Sequence, residues 1–317
     1  MKLMKKTVLI ILTLCMLLQL VACSNNSGTK FEITQDEFNA VLEQFKENYK
    51  QRVGEEAWDA NLKDNKEFNE SLEEVVLDNI ILEKVVLDEA KKANLEITEE
   101  TINAEIEKIK TKYPEAEDYE KYLADIKMTE EELKADIKKQ LTIQQFLKTK
   151  ADEMMKLEPT EKQLKDLYNK YKEAFKQVKA SHILVATEEE ALSIKEKLTN
   201  GGDFAELAKD LSICPSSAEG GDLGYFSANS QLVQEFKDAA FGMKIDEISD
   251  PVKTQFGYHI IKITDIKDSF EVIDKEEIKY EYRALKYDEM LNDYVNNANV
   301  TLSKELKKIR DRSKKNK

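Results

Sequence analysis

The sequence holds little of what usually carries chemistry or staples a fold. Of 317 residues, only 2 are His, 3 Cys and 1 Trp, beside 9 Gly and 4 Pro. Three cysteines are too few for a disulfide scaffold. Scarce Gly and Pro, with abundant Glu and Lys, point to a mainly helical chain. A basic excess is also missing: 49 Lys+Arg stand against 63 Asp+Glu, for a net charge of -14. That excludes a general nucleic-acid binder, which needs a basic face to displace counterions. What is present suffices for a core: 41% of residues are apolar and 35% charged, which excludes wholesale disorder. At about 150 residues per domain, the length suggests two domains.

The first 30 residues read as targeting sequence. Lys2, Lys5 and Lys6 form a positive head, and Thr7 to Ala22 is an apolar run. At ~1.5 Å per residue that run is too short for a membrane span and suits a signal-peptide core. It ends in Leu20-Val21-Ala22-Cys23, followed by the polar stretch Ser24-Asn25-Asn26-Ser27-Gly28. The tetrapeptide resembles a bacterial lipobox. The resemblance implies that residues 1–22 are removed, that Cys23 is lipidated on sulfur, and that 23–30 form a tether at the membrane. Removing three Lys leaves 46 basic against 63 acidic residues, a mature charge of -17. Cys214 is then the only free thiol, so no intramolecular disulfide can form.

From Thr34 to about Phe175 the pattern is helical, giving an expected N-terminal helical domain over 31–176. Thr34-x-x-Glu37, Thr129-x-x-Glu132 and Thr160-x-x-Gln163 have capping-box spacing, in which a hydroxyl and a carboxylate or amide satisfy free helical N–H groups. Segment 72–90 is apolar on more than one face and predicts a buried central helix. Segments 98–112, 116–126, 130–156 and 160–176 are more one-sided. Composition then changes: both His, Cys214 and seven of the nine Gly fall between Val178 and Lys267. Within this separate module, 178–185 reads as a strand, 187–199, 203–211 and 231–241 as helices, and 247–254 and 258–264 as strands. Residues 213–225 read as a Gly- and Ser-rich loop. Helix resumes over about 275–297 in a C-terminal segment, 268–317, that ends in a basic tail. That tail, 304–317, carries eight basic and two acidic residues and reads as a solvated end or one that leans on anionic lipid or wall polymer. The helical segments on either side of the module are expected to form one discontinuous domain, in an α+β chain overall.

His182 and His259 are the chemistry-bearing candidates, with Cys214 at the start of the Gly-rich loop. Two imidazoles on neighbouring strands can form a hydrogen-bond relay, since each neutral ring donates from one nitrogen and accepts at the other. Three readings stay open on residues alone. Two His and a Cys could bind zinc, though without compact ligand spacing. Cys214 could be a hydrolase nucleophile, though Pro215 removes the next backbone N–H, often used in an oxyanion hole. Both His could instead be satisfied core residues, with Cys214 a small hydrophobe.

Seven blocks resolve the choice by resemblance: His182-Ile-Leu-Val185, Phe204-Ala-Glu-Leu-Ala-Lys209, Ser212-x-Cys-Pro215, Gly220-Gly-Asp-Leu-Gly-Tyr-Phe226, Phe236-x-x-Ala-Ala-Phe241, Glu247-Ile-Ser-x-Pro-Val252 and Phe256-Gly-Tyr-His-Ile-Ile-Lys262. In order and spacing they resemble the parvulin (PpiC, rotamase) family of peptidyl-prolyl cis-trans isomerases. With the lipobox and helical flanks, the chain resembles PrsA-type foldase lipoproteins. The resemblance implies a small antiparallel sheet with surrounding helices over 178–267, inserted in a mainly helical chaperone-like domain. It implies His182, His259, Cys214 and Thr254 at the catalytic floor, and Leu223, Leu232 and Phe236 around the proline ring. Phe256, where phosphate-selective members often carry Ser, extends the apolar wall, and Asp246 replaces a frequent Gly. Thr187-Glu-Glu-Glu190 stands where those members are basic, so no phosphate preference is expected. No cofactor or metal is implied. Implied partners are newly exported polypeptides with X-Pro bonds and the membrane, through Cys23; a homodimer through the helices is open. The expected location is the extracytoplasmic face of the cell membrane, of Gram-positive type. The rival expectation is a holdase chaperone whose parvulin module is structural or inactive.

Overall fold

The computed structural model describes residues 30–315, so the leader and Cys23 lie outside the described residues. In chain order the elements begin with β1 (Phe31–Ile33), α1 (Gln35–Val53), α2 (Glu55–Asn61), α3 (Lys66–Lys92), α4 (Glu99–Lys110), α5 (Ala116–Asp125) and α6 (Glu130–Met155). Next come α7 (Glu161–Lys170), α8 (Lys172–Phe175), β2 (Gln177–Val185), α9 (Glu188–Thr199), α10 (Phe204–Leu211) and a 3-10 turn at Pro215–Glu219. Then follow β3 (Asp222–Ser227), α11 (Gln234–Gly242), β4 (Val252–Thr254), β5 (Gly257–Lys267), α12 (Lys275–Asn297), β6 (Val300–Leu302) and α13 (Lys304–Lys315). The described residues form two compact units, one of 30–157 with 283–315, the other of 158–282. Among the described residues, no helix is long and apolar enough to cross a membrane.

The discontinuous helical unit is organised by α3. Val76, Leu77, Ile80, Ile81, Val85 and Val86 are all buried on it, and adjacent pairs of this kind cover two faces of one helix. One side meets Phe38, Val41 and Leu42 of α1, with Val295, Leu306 and Ile309 from the C-terminal segment. Further along, Val86 and Ala90 meet Phe146, Leu147 and Leu291. The expected boxes at Thr129 and Thr160 are complete. At Thr34 only the hydroxyl half forms, because Glu37 spends its carboxylate on Lys84, 2.9 Å away.

Two sequence expectations are corrected in this unit. The 31–176 stretch is not wholly helical: β1 pairs in parallel with β6, Phe31 opposite Val300 and Ile33 opposite Leu302. Nor is the basic tail a frayed end. It folds as α13, with Leu306, Ile309 and Ser313 buried. Arg310 Nη2 donates to the carbonyls of Val295, Asn296 and Ala298 at 3.3, 3.4 and 2.9 Å. It thereby caps the C-terminal end of α12, where carbonyls lack partners and the helix dipole favours a cation. Arg312 donates to Glu74 at 2.6 Å and Glu73 at 2.9 Å, and Ser313 donates to Asp78 at 2.8 Å.

The second unit holds an antiparallel sheet in the order β3-β2-β5-β4. It is wider than the expected 178–267 on both sides. Leu164, Leu167 and Tyr168 of α7 are buried, and Tyr168 lies 5.9 Å from the Phe175 ring and 6.0 Å from Phe270. Helical periodicity marked that apolar face without saying which core takes it. The expected loop 213–225 also contains the start of an edge strand: β3 pairs with β2, Val178 opposite Phe226 and Lys179 opposite Tyr225.

Side-chain alternation along β2 and β5 divides the module into two cores. Ile183, Val185 and Ile260 pack with Ala191, Ile194, Leu198, Phe204 and Ala208 of α9 and α10. Val178, Ala180, Ile261 and Ile263 pack with Phe236 and Ala240 of α11 and with Phe226. His182 and His259 extend the second set: each lies in line with its apolar residues along its strand and faces Phe236.

Candidate active site

The register places the two histidines diagonally. His182 opposes Ile261 and Leu184 opposes His259, so the imidazoles stand two positions apart on one face, within reach for aromatic side chains. Their Nδ1 atoms are 3.0 Å apart, and the ring planes differ by only 18°. Phe236 meets both edge-on, at 5.6 Å and 86° to His182 and 5.4 Å and 76° to His259. The outer nitrogens meet hydroxyls: His259 Nε2 lies 2.9 Å from Thr254 Oγ1, and His182 Nε2 lies 3.0 Å from Ser216 Oγ. One unbroken polar row, Ser216–His182–His259–Thr254, thus crosses the module.

Both rings are 5% exposed. Burial, reinforced by the neighbouring His259, pushes the pKa of His182 down to about 4. Burial lowers that of His259 as well. Taking a cation out of water without a counter-charge is costly, so the pair is neutral at pH 7. It has the donors and acceptors of a fixed polar floor.

Two glycines let the backbone close around this floor. Gly221, at φ +82°, precedes β3, and a Cβ there would lie 2.3 Å from the His182 carbonyl oxygen. That approach permits the 2.9 Å bond from His182 N–H to the Gly221 carbonyl. Gly257, at φ +131°, sits equally close to the Val185 carbonyl, at the β4–β5 turn where Thr254 receives the Phe256 N–H at 3.1 Å. Asp246 adopts φ +65°, a left-handed conformation that Asp tolerates better than most side chains.

The other sequence candidates divide. Leu223 and Leu232 are half-buried and pack in the same cluster as Phe236, which is 1% exposed. Phe236 therefore backs this cluster, while the two leucines present its accessible surface. Phe256 does not join it: the ring stands 60% exposed on the β4–β5 turn. Cys214 is half-buried at the head of the 3-10 turn, and its N–H donates to Ser212 Oγ at 3.3 Å. Ser212 also accepts the Leu184 N–H at 3.0 Å, tying this loop to β2. From sequence, Ser212 stood only as a member of the Ser212-x-Cys-Pro215 block, without a role, and Ser216 was not singled out. The available signal was small hydroxyl residues bracketing Cys214-Pro215, where Pro215 starts a tight turn.

Comparison with known proteins adds an independent finding. The PPIC-type PPIASE domain family matches residues 163–267, and the SurA-like N-terminal domain family matches residues 5–147. Foldase protein PrsA of Geobacillus kaustophilus is 36% identical over 275 residues, covering 86% of this chain and 84% of its own. Foldase protein PrsA of Caldanaerobacter subterraneus is 33% identical over 274 residues, covering 82% of each. Among solved structures, the PrsA peptidylprolyl isomerase of Bacillus anthracis is 31% identical. It covers 72% of this chain and 99% of its own, with a TM-score of 0.32.

Proposed function

The chain belongs to the PrsA foldase family, and from that premise we propose how its catalytic module works and where the protein acts. The module is a PpiC-type peptidyl-prolyl cis-trans isomerase, and the chain as a whole is a foldase that binds polypeptide substrates. Rotation about an X–Pro bond must break amide resonance, a barrier of ~18–20 kcal/mol. Uncatalysed, it takes tens to hundreds of seconds and can limit folding. No covalent bond need form. A site accelerates the step by binding the twisted amide better than either planar form and by excluding water from it.

In our reading, Leu223 and Leu232 grip the proline ring over Phe236, and Phe256 extends the apolar surface toward the flanking client residues. His182, His259 and Thr254 hold the polar floor in one arrangement. Cys214 contributes shape and not a nucleophile, since rotation needs none. The observation that carries this reading is the neutral imidazole pair, Nδ1 to Nδ1 at 3.0 Å, with Phe236 edge-on to both rings. The acidic start of α9, Glu188, Glu189 and Glu190, supports a site without phosphate selectivity, because these carboxylates repel an anionic residue before proline.

We place the protein at the extracytoplasmic face of the cell membrane, held by lipid on Cys23, with newly exported chains as its clients. The apolar run ending in Leu20-Val21-Ala22-Cys23 supports this. Mass spectrometry of the mature N-terminus is expected to find acylated Cys23; an unmodified Cys23 would refute the anchor.

Catalysis is tested with proline-peptide isomerisation on the full chain, beside suppression of client aggregation. His182→Ala and His259→Ala are expected to lose at least about tenfold in turnover while aggregation suppression persists. Unchanged turnover in a folded double variant would return the module to a binding role.

A further inference from the structure

Ser216 has no role in the reading above, yet it occupies the open end of the buried polar row. Its Oγ lies 3.0 Å from His182 Nε2, and the residue is half-buried on the 3-10 turn that begins at Pro215. The far end of the row is closed. Thr254 is buried; its Oγ1 receives the Phe256 N–H at 3.1 Å and faces the Gly257 carbonyl at 3.5 Å.

Counting hydrogens fixes a direction along this row. Two neutral imidazoles carry one N–H each, and the contact between the Nδ1 atoms needs one donor and one acceptor. In an inward arrangement, Ser216 donates to His182, His182 to His259 and His259 to Thr254. The Thr254 hydrogen is then left with the Gly257 carbonyl at 3.5 Å, far beyond the O–H···O optimum of about 2.7–2.8 Å. In an outward arrangement, Thr254 donates to His259 Nε2 at 2.9 Å. His259 then donates through Nδ1 to His182 Nδ1, and His182 through Nε2 to Ser216 Oγ, each at 3.0 Å. Every buried hydrogen now has a short bond, and the one released is that of Ser216, at the accessible end. A poorly satisfied buried hydroxyl is costly, so the outward arrangement prevails. Successive donors also polarise one another, which strengthens the last.

We propose that Ser216 is a substrate-contacting residue of the isomerase site, whose hydroxyl donates to the carbonyl of the proline residue itself in a bound X-Pro segment. This rests on the reading of Leu223, Leu232 and Phe236 as the ring-binding surface. The chemistry selects that acceptor. A donor on the carbonyl of the rotating amide would reinforce the planar resonance that has to be lost. A donor on the proline's own carbonyl clamps the C-terminal side while the acyl group on the other side turns. Thr254 acts through the two imidazoles and is a positioning residue.

The test uses the full chain labelled with ¹⁵N-histidine, where two histidines give four ring-nitrogen signals. The wild type is expected to carry its protons on His259 Nδ1 and His182 Nε2. Thr254→Val is expected to disturb that pattern, and Thr254→Ser to keep it. Ser216→Ala is expected to lower kcat/KM for an X-Pro peptide roughly five- to tenfold, the loss of one hydrogen bond. That loss should vanish on a peptide whose proline carbonyl is reduced to a methylene. The opposite tautomers in the wild type, or an equal loss on both peptides, overturns the proposal. A wild type inactive on every proline peptide would instead overturn the ring-binding surface on which it rests.

Discussion

Mild acid is expected to destabilise the catalytic module, and to do so through its imidazoles. An unfolded His titrates near the ordinary value of about 6.5, whereas burial holds His182 at about 4. Above about pH 6.5 both states are neutral and stability is full. As pH falls below that value, the unfolded state takes up a proton that the folded state refuses, and stability drops until the folded pKa is passed. A difference of about 2.5 units at 1.36 kcal/mol each makes the full loss from His182 roughly 3 kcal/mol, about 2 kcal/mol of it by pH 5. His259 shifts in the same direction and adds to the loss. Domains commonly have only about 5–15 kcal/mol in reserve, so the effect is a large share. Hydrogen exchange read by mass spectrometry on peptides from 177–185 and 257–267 isolates the module from the helical unit. Protection at those strands should fall between pH 6.5 and 4.5, while the His182 ring-proton resonances stay at their neutral positions down to about pH 5. An imidazole that titrates with a pKa near 6.5 in the folded protein, or protection that stays flat across the interval, refutes the reasoning.

Three further outcomes are expected. Gly221→Ala places a methyl 2.3 Å from the His182 carbonyl at φ +82°; it should cost about 2 kcal/mol or more and lower the thermal midpoint and turnover together. Arg310→Ala removes three carbonyl bonds at the end of α12 and should cost about 1–2 kcal/mol in urea denaturation. Arg312→Ala should cost less, because its carboxylate partners keep access to water, where ion pairs contribute little. Cys214→Ala should retain most isomerase turnover in the proline-peptide assay; complete loss in a folded variant would restore a chemical role for the thiol.

Legibility in the sequence followed the strength of local patterns. Helix α12 could be bounded at 275–297 because its period is long and uninterrupted. For the same reason the boundary between the two units, which falls between Tyr282 and Arg283 inside that helix, left no trace. The strand β3 was hidden by Gly220, Gly221 and Gly224, all at positive φ, which read as a loop until the pairing with β2 is seen. In α13 the buried Leu306, Ile309 and Ser313 stand at helical spacing, but seven basic residues outweigh them in any reading by composition. β1 and β6 have three residues each, too few to show alternation. The histidine pair was visible as two rare residues on two predicted strands. The hydroxyl at its open end was not, because several serines flank Cys214-Pro215 and only the turn shows which of them meets His182.

The parallel pairing of β1 with β6 bears on how the protein itself is made. A ribosome, or an export channel, releases Phe31 long before Val300, and the strand at the beginning has no partner until nearly the whole polypeptide has emerged. Leu306 and Ile309 arrive later still to cover Val76 and its neighbours. Such pairing between distant positions is slow to form and leaves greasy surface uncovered meanwhile. The 125 intervening residues of 158–282 form a compact unit of their own and have all emerged before Val300, so every residue of the isomerase module is present before its scaffold can close.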